Sequence, residues 1–406
     1  MYPDLSYVFS DLFGSAQDNW TSMFKCFGLM LGVAFLASGL LVKSELTRLE
    51  KEGKVFPTKT TKRAGDSTSD IIINAVILGI LAAKLPFIFR DFSSFAADPA
   101  AILFSKTGYW LLGLLVGGSM AAYLIYKRSK IEGPAIQEFV VQPHQKTMDI
   151  IIVAAISGVI GAKLFSILEN LEDFFRDPLG QFFSGSGLTV YGGIILAFIM
   201  VYRYVNANGI KPIYMMDIAG MGILLGYGIG RIGCQLAGDG DWGIVAGPQP
   251  SWWFLPDWLW SQAYTHNVAN EGNLIAGCDE NVFRAAQGAI EERCKTACGI
   301  RYCHTMIDNK VFPTPIYETV LSFIGFGLLY AFRKKIKIAG ILFFFYMIYN
   351  GIERFFIEQI RVNEKYTLAG LNFSQAQYIS IVFVIVGTIG AVYLVWRHKN
   401  AEKQQV

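Results

Sequence analysis

Residues 213–243 read IYMMDIAGMGILLGYGIGRIGCQLAGDGDWG, and this stretch decides the fold class. It starts as a long apolar run and ends on an arginine, Arg231, that lies between glycines and is followed by two acids. A run of roughly 18 or more apolar residues with few charges is typical of a transmembrane helix. The stretch therefore predicts a helix that crosses a membrane and carries an ionisable group near one end.

Apolar segments of similar length recur along the whole chain. The 406 residues are 53% hydrophobic, and the apolar residues fall in blocks too long for strands or ordinary core helices. We count nine segments: 22–42, 70–89, 107–126, 149–168, 187–206, 213–232, 315–332, 338–357 and 376–396. Backbone polar groups in lipid must be satisfied within a segment, so each segment is expected to be helical. The sequence therefore predicts an all-α polytopic membrane protein with about nine transmembrane helices.

The positive charges indicate how these helices are oriented. If the N-terminal tail (1–21) lies outside, the inner loops and the C-terminal tail (397–406) hold 20 of the 35 Lys and Arg residues. Residues 1–21 hold none. Because short loops rich in Lys and Arg lie in the cytosol, we expect the N-terminus outside and the C-terminus in the cytosol. A tail without basic residues is not a cleavable signal peptide, so the first helix is expected to stay as an anchor.

Part of the membrane region, 22–232, is an internal repeat. Residues 70–127 match 149–206 at an offset of 79, as in DIIINAVILG at 70–79 and DIIIVAAISG at 149–158. Self-similarity of this length predicts a tandem duplication of a helix pair. The copies differ where TVYGG, starting at Thr189, stands against WLLGL in the first copy, so if the repeat carries a site, we expect it in the second copy.

The segment 233–314, between the sixth and seventh predicted helices, is expected to be an extracytoplasmic insert. Five of the eight tryptophans lie in its first half, between 242 and 260. Tryptophan is enriched where membrane meets water, so this half is expected to lie on the outer leaflet. The alternative is a small soluble core. The helices at 315–396 complete the membrane region.

Four cysteines lie in the second half of the insert. They are Cys278, Cys294, Cys298 and Cys303. An even set of cysteines on the oxidising side of a membrane predicts two disulfides, and three pairings remain open. A zinc site that uses His304 is the alternative, which the absence of paired CxxC motifs disfavours.

Several ionisable or polar side chains are expected at the outer ends of different helices. An ionisable residue in a membrane helix is a functional-site hypothesis by default, and Arg231 is one. Asn350, Arg354 and Glu358 share one helix face because they are spaced four residues apart. We also expect the following side chains at the depth of the outer helix ends: Lys163, Tyr191, Asp239, Asp241, Tyr317 and Glu318.

Two arginines at the depth of lipid headgroups suit a phosphate. A planar guanidinium can hold two phosphate oxygens at once. The alternative is that these charges pair with each other and hold the helices together.

The quoted motifs resemble those of prolipoprotein diacylglyceryl transferases. The matching elements are GRIG at 230–233, YGG at 191–193, Pro313 with Tyr317-Glu318, and the run from Arg354 to Arg361. The resemblance covers the first helix and about 149–396. The first repeat copy and the cysteine-rich insert are then additions to a seven-helix plan.

The resemblance implies a transferase of the bacterial cytoplasmic membrane whose site faces the outer side. It implies transfer of the diacylglyceryl group of phosphatidylglycerol to the thiol of a lipobox cysteine in prelipoprotein signal peptides, with release of glycerol phosphate. It implies membrane lipids as partners, and no nucleic acid, cofactor or metal. The implied catalytic residues are Arg231, Asp239, Tyr191, Arg354 and Glu358. The implied substrate-binding residues are Lys163, Gly192, Gly193, Gly233, Tyr317, Glu318, Asn350 and Arg361.

The chain departs from the family pattern at positions that bear on the chemistry. Tyr191 and Phe312 stand where the family has histidines, Cys234 where it has an asparagine, and Asp239 where it has a glutamate. A tyrosine is a poor base at neutral pH but a good hydrogen-bond partner. Either the chemistry does not need a base at the place of the missing histidine, or Tyr191 or Asp239 takes over. Asp239 or Glu358 is then expected to accept the thiol proton or orient an arginine. A multi-helix transporter and a non-catalytic lipid-binding relative are the alternative functions.

Overall fold

The structure is a computed structural model that describes residues 1–17, 19–63, 67–90, 105, 107–130, 136–183, 189–368 and 370–404. The repeat's loops at 91–104 and 184–188 lie outside these ranges, and so do the last two residues of the tail 397–406.

Helices make up most of the described chain. In chain order they are α1 Leu5–Phe13, α2 Cys26–Lys51, α3 Thr68–Arg90, α4 Trp110–Ser129, α5 Thr147–Glu169, α6 Leu171–Arg176, α7 Pro178–Phe183, α8 Val190–Ala207, α9 Pro212–Ala237, α10 Glu280–Ala285, α11 Ile290–Cys298, α12 Thr314–Phe332, α13 Ile341–Ile357 and α14 Gln375–Lys403. Strands occur only as antiparallel pairs among the described residues. They are β1 Thr58–Arg63 with β2 Ile136–Val141, β3 Asn273–Leu274 with β4 His304–Thr305, and β5 Lys365–Leu368 with β6 Leu371–Ser374.

Eight helices in the described ranges are long and apolar enough to cross a membrane. They are α2, α3, α4, α5 with the turn before it, α8, α9, α12 and α14. This confirms the predicted class of an all-α polytopic membrane protein. The predicted segment 338–357 forms the 17-residue α13, and nine crossings stay a prediction.

The ends of α9 follow from its sequence. It begins at Pro212, where the missing N–H and fixed φ of proline suit the first turn of a helix. It ends at Gly238, whose φ of +63° is left-handed and whose amide donates to the Cys234 carbonyl at 2.9 Å. A Cβ at Gly238 would lie 2.9 Å from the Asn267 Cβ, so glycine suits both the conformation and the space. This end directs the chain into the loop that carries Asp239 and Asp241.

The described chain forms two compact units. One is Leu46–Ile210 and contains both copies of the repeat as helix pairs, α3 with α4 and α5 with α8. Within each pair, glycines let two backbones approach: a Cβ on Gly113 would lie 2.6 Å from the Gly79 carbonyl oxygen, and one on Gly193 would lie 2.9 Å from that of Gly158. In the ungapped sequence match, Gly79 corresponds to Gly158 and Gly113 corresponds to Gly192. The residue that approaches Gly158 is Gly193, so the helix contact in the second pair is shifted by one residue relative to the first.

The other unit is Met1–Glu45 with Lys211–Val406. Its core cluster is drawn from α2, α9, α12 and α13, and comprises Leu41, Met221, Leu224, Leu329, Leu342 and Tyr346. Asp217, an acid within α9, accepts hydrogen bonds from the amides of Gly340 (2.7 Å) and Phe343 (3.0 Å). These amides open α13 and have no partner within that helix, so Asp217 stabilises its start.

The insert, in the same unit, has a small core of its own. Trp242 packs on Tyr264 with ring centroids 4.8 Å apart, and both contact Val311. The four cysteines form two disulfides, Cys278–Cys298 and Cys294–Cys303, which selects one of the three pairings left open.

Candidate functional site

One carboxylate, Glu318 on α12, lies among three arginines. Its Oε2 is 2.8 Å from Arg231 Nε. Its Oε1 is 2.8 Å from Arg354 Nη1 and 3.2 Å from Arg361 Nη1. The Glu318 side chain is only 1% exposed, and a buried carboxylate is tolerated only with such partners. Glu318 therefore joins the end of α9, the end of α13 and the segment after α13.

Asp241, in the loop after α9, is a second bridge between the same segments. Its Oδ1 is 2.5 Å from Arg361 Nη2, and its Oδ2 bonds to Arg231 Nη1. The Thr314 hydroxyl donates to its backbone carbonyl at 2.7 Å. Burial opposes ionisation of this carboxyl, but Arg231 and Arg361 outweigh burial and hold the pKa of Asp241 below its usual range. Asp241 therefore stays ionised at neutral pH.

Glu358 contacts the terminal nitrogen of Arg354 that does not face Glu318. Its Oε2 lies 3.2 Å from Arg354 Nη2, one helical turn earlier. Its Oε1 accepts hydrogen bonds from the Ser374 hydroxyl at 2.9 Å and from the Asn363 side-chain amide. Glu358 is buried, so it fixes the guanidinium plane of Arg354 from a rigid position.

Tyr227 is a member of this site that the sequence motifs missed. Its hydroxyl donates to Glu318 Oε1 at 3.0 Å and lies 3.4 Å from Arg354 Nη1. The Arg231 guanidinium carbon lies 4.9 Å from the centroid of its ring, within the range of a cation–π contact. Sequence spacing could have identified Tyr227, because it precedes Arg231 by four residues and therefore lies on the same helix face.

The three arginines and the three carboxylates, Asp241, Glu318 and Glu358, have formal charges that cancel. We call these six residues and Tyr227 the arginine cluster. The Arg354 and Asp241 side chains are 27% and 32% exposed, whereas those of Arg231 and Arg361 are 11% and 10% exposed. Arg354 and Asp241 therefore form the accessible edge of the arginine cluster.

The arginine cluster brings together five of the predicted site residues: Arg231, Arg354, Arg361, Glu318 and Glu358. Asp239 accepts from the Asp241 amide at 3.3 Å, and among the described residues it forms no ion pair with an arginine. The acid of this loop that meets the arginines is thus Asp241, two residues beyond the position that matches the family glutamate.

Three other predicted residues lie in the same unit. Tyr317 donates to the Leu259 carbonyl and so ties α12 to the insert. Asn350 is half-buried on α13, one turn before Arg354. A Cβ on Gly233 would lie 3.1 Å from the Met30 Cβ and 3.2 Å from the Phe27 Cα, so this glycine permits close packing of α9 on α2.

Lys163, Tyr191, Gly192 and Gly193 lie in the unit of the repeat, on the pair α5 and α8. Lys163 is buried and Tyr191 is exposed at the start of α8. The two glycines contact the backbone of α5. In the first copy, the lysine that matches Lys163 is Lys84, whose Nζ donates to the carbonyls of Ser105 and Thr107 at 2.6 Å each.

One group of possible metal ligands lies beside the arginine cluster. The ligand atoms of Cys234, Asp239 and Asp241 lie within 4.8 Å of one another. Asp241 is already neutralised by Arg231 and Arg361, and a cation there would face both guanidiniums. A second group, Cys294, Cys303 and His304, has both sulfurs in a disulfide. Both groups therefore fit a metal ion poorly.

Residues 21–144 and 135–393 match the sequence profile of a family described as prolipoprotein diacylglyceryl transferase. The match includes the first repeat copy, which the quoted motifs did not cover.

Individual proteins of this family are also similar to the chain in sequence. The chain is 25% identical over 296 residues to the phosphatidylglycerol–prolipoprotein diacylglyceryl transferase of Lysinibacillus sphaericus, which covers 72% of this chain and 90% of that protein. The chain is also similar to two proteins of the same name. The one from Dehalococcoides mccartyi is 29% identical and covers 62% of this chain and 78% of its own length. The one from Streptococcus uberis is 25% identical and covers 72% of this chain and 93% of its own length.

Proposed function

The chain belongs to the prolipoprotein diacylglyceryl transferase family, and from this membership we propose that it acts on phosphatidylglycerol and prelipoproteins. The diacylglyceryl group of the lipid is transferred to the thiol of the lipobox cysteine, and glycerol phosphate is released. The protein is a multi-pass membrane enzyme. We place it in the bacterial cytoplasmic membrane with the arginine cluster facing the outer side, as the distribution of Lys and Arg favours.

The observation that carries this proposal is the shared bridge at Glu318. Arg231 and Arg354 come from different helices, and the carboxylate holds both guanidiniums in place. Donors that are positioned before the reaction stabilise developing charge without a further cost of reorganisation. The internal ion pairs also hold the helix ends together, so the structural role and the chemical role fall on the same residues.

Arg354 is the group that meets the phosphate of the lipid in this proposal. It keeps its contacts with Glu318 and Glu358, and the accessible edge of its guanidinium, which is 27% exposed, donates to a phosphate oxygen. A phosphate diester carries one negative charge, so it adds an ion pair on the exposed side of Arg354.

The same helix borders a place for an acyl chain. An apolar groove of about 450 Å³ runs between α12 and α13, lined by side chains that include Leu328, Phe345 and Ile352. In this proposal an acyl chain of a bound lipid lies along the groove, where burial of apolar surface favours it.

The chemistry needs no nucleophile from the enzyme. The substrate's thiol sulfur attacks a glyceryl carbon, the bond from that carbon to the phosphate oxygen breaks, and the phosphate takes the electron pair. Arg231 and Arg354 stabilise the charge on the leaving phosphate, each donor contributing about 3–4 kcal/mol.

Glu358 orients Arg354, since both of its oxygens are engaged. We therefore assign acceptance of the thiol proton to Asp239, whose carboxylate forms no ion pair with an arginine in the described chain. Tyr191 is assigned a hydrogen bond to substrate.

The test is complementation in bacteria depleted of their own transferase. A test prelipoprotein should gain the mass of a diacylglyceryl group when the wild-type chain is expressed, and not when Arg231→Ala is expressed at the same membrane level. Modification by the variant at the wild-type rate would remove the phosphate role of Arg231. If the wild-type chain does not modify the prelipoprotein, the proposed transferase activity is refuted.

A further inference from the structure

The insert displays apolar side chains on a loop next to the arginine cluster. We call residues 250–260 the aromatic loop. Trp252, Phe254 and Trp258 on this loop are 70%, 89% and 53% exposed. Leu255 and two residues of the segment leading to the loop, Ile244 and Val245, are also exposed. Contiguous exposed apolar surface of this kind marks an interaction site.

The four tryptophans of the loop differ in whether their indole N–H groups have acceptors. Trp253 and Trp260 contact each other with centroids 5.0 Å apart, and their indole N–H groups donate to the carbonyls of Pro256 (3.5 Å) and Gly247 (2.9 Å). Within the described chain, no acceptor is found for the indole N–H of Trp252 or Trp258. Trp253 and Trp260 therefore anchor the loop. Trp252, which also contacts the Trp253 ring at 6.0 Å between centroids, and Trp258 each present an apolar ring with a free N–H donor.

Charge is nearly absent from this part of the insert. Between residues 242 and 262, Asp257 is the only charged residue in the sequence. A surface that meets water or a charged protein partner is usually rich in charged side chains. Exposed indoles with free donors and few charges instead match the boundary between lipid and water, where the ring is apolar and the N–H can bond to headgroups or water.

The segment that leads into the aromatic loop lies at the ends of membrane helices. The Gly243 amide donates to the Phe312 carbonyl and the Ile244 amide donates to the Ile360 carbonyl, each at 2.8 Å. Phe312 lies just before α12, and Ile360 lies just after α13 and next to Arg361. The chain therefore enters the aromatic loop from the level where spanning helices end.

We propose that the aromatic loop inserts into the headgroup layer of the lipid bilayer, on the side of the membrane where α9 and α13 end. The occupant of the apolar surface is lipid. The segment leading into the aromatic loop is hydrogen-bonded to the segment that carries Arg361, so the inserted loop keeps the edge of the arginine cluster next to the leaflet.

The experiment uses the full chain in phosphatidylcholine nanodiscs, which expose both faces to solvent. Tryptophan emission is quenched either by brominated phosphatidylcholine or by iodide in the buffer. The double variant Trp252→Phe/Trp258→Phe should lose emission that brominated lipid quenches, and should keep all the emission that iodide quenches. Trp242→Phe, which removes a buried indole of the insert, is the matched control. It should change neither the emission that brominated lipid quenches nor the emission that iodide quenches.

A second variant gains a signal and does not depend on the loss of two aromatic rings. Phe254→Trp should add emission that is blue-shifted and quenched by brominated lipid. Added emission that is quenched by iodide would place the loop in water. Added emission that neither quencher reaches would place it under protein. Either result would overturn the proposal and leave the transferase function untouched.

Discussion

Arg231 on α9 and Arg354 on α13 lie against opposite oxygens of one carboxylate, that of Glu318, each at 2.8 Å. Neither arginine can move far without breaking a buried ion pair. The cost of such a break is high, about 3–5 kcal/mol, because it leaves an uncompensated buried charge. The same contacts that stabilise the helix ends thus keep two cationic groups in a fixed geometry.

Arg354→Lys should lower the transfer rate by about 100-fold while the protein still folds. Lysine keeps the charge, but it lacks the planar fork that reaches Glu318 and a phosphate together. The measurement is the initial rate of lipid transfer to a prelipoprotein peptide by purified protein in detergent. Arg333→Lys is the control, since Arg333 pairs with buried Glu45 at 2.8 Å outside the arginine cluster. A similar loss of rate in both variants would contradict the role of Arg354.

Glu318→Gln should lower the melting temperature of the protein, whereas Glu353→Gln should not. Glu318 has three arginine partners, so loss of its charge should lower the melting temperature clearly. Glu353 is also buried, but one of its carboxylate oxygens has no hydrogen-bond partner in the described chain. An amide of the same shape avoids the cost of burying a charge, so Glu353→Gln should keep or raise the melting temperature. Equal destabilisation by both would show that Glu353 has a partner of its own.

Asp241 should make stability depend on pH in the acid range. Arg231 and Arg361 hold its folded-state pKa below the unfolded value of about 3.9. Its contribution is therefore fully present above about pH 4 and is lost as the pH falls through the lower folded value. Melting temperatures of the wild type and Asp241→Asn should differ at pH 7 and converge as the pH is lowered to 3. A gap that stays constant would show that the charge of Asp241 is not what stabilises the site.

Removal of the disulfide Cys278–Cys298 should destabilise the insert by about 2–4 kcal/mol, since the bridge closes a loop with a sequence separation of 20. The double variant Cys278→Ser/Cys298→Ser should become sensitive to protease within 279–297 at a temperature where the wild type resists. Cys26→Ser, a change at a buried free cysteine, is the control and should leave this segment protected. Unchanged protection of the double variant would show that packing alone holds the insert.

Tyr191→Phe should lower the transfer rate by up to about tenfold, the loss expected when one hydrogen bond of 0.5–1.5 kcal/mol to substrate is removed. Tyr202→Phe makes the same change at an exposed tyrosine further along α8 and should leave the rate unchanged. Equal rates for the wild type and Tyr191→Phe would remove Tyr191 from the list of site residues.

Much of the fold could be predicted because it depends on local properties. The length and apolar character of each run determine whether it forms a membrane helix, and the turn at Gly238 needs only a residue that tolerates a positive φ. The participation of Arg231, Arg354 and Arg361 in one site could also be predicted, since charges are costly in such helices unless they have partners.

The remaining features depended on which groups meet after folding. Asp241 rather than Asp239 contacts the arginines, Tyr227 joins them, Gly193 rather than Gly192 approaches Gly158, and Cys278 pairs with Cys298. The amino-acid sequence by itself determined the membrane helices and the types of charged residue at their ends. Only the tertiary structure decided the partners, because a contact between distant segments depends on how each helix is rotated and packed, and a shift of one residue turns a helical side chain by about 100°.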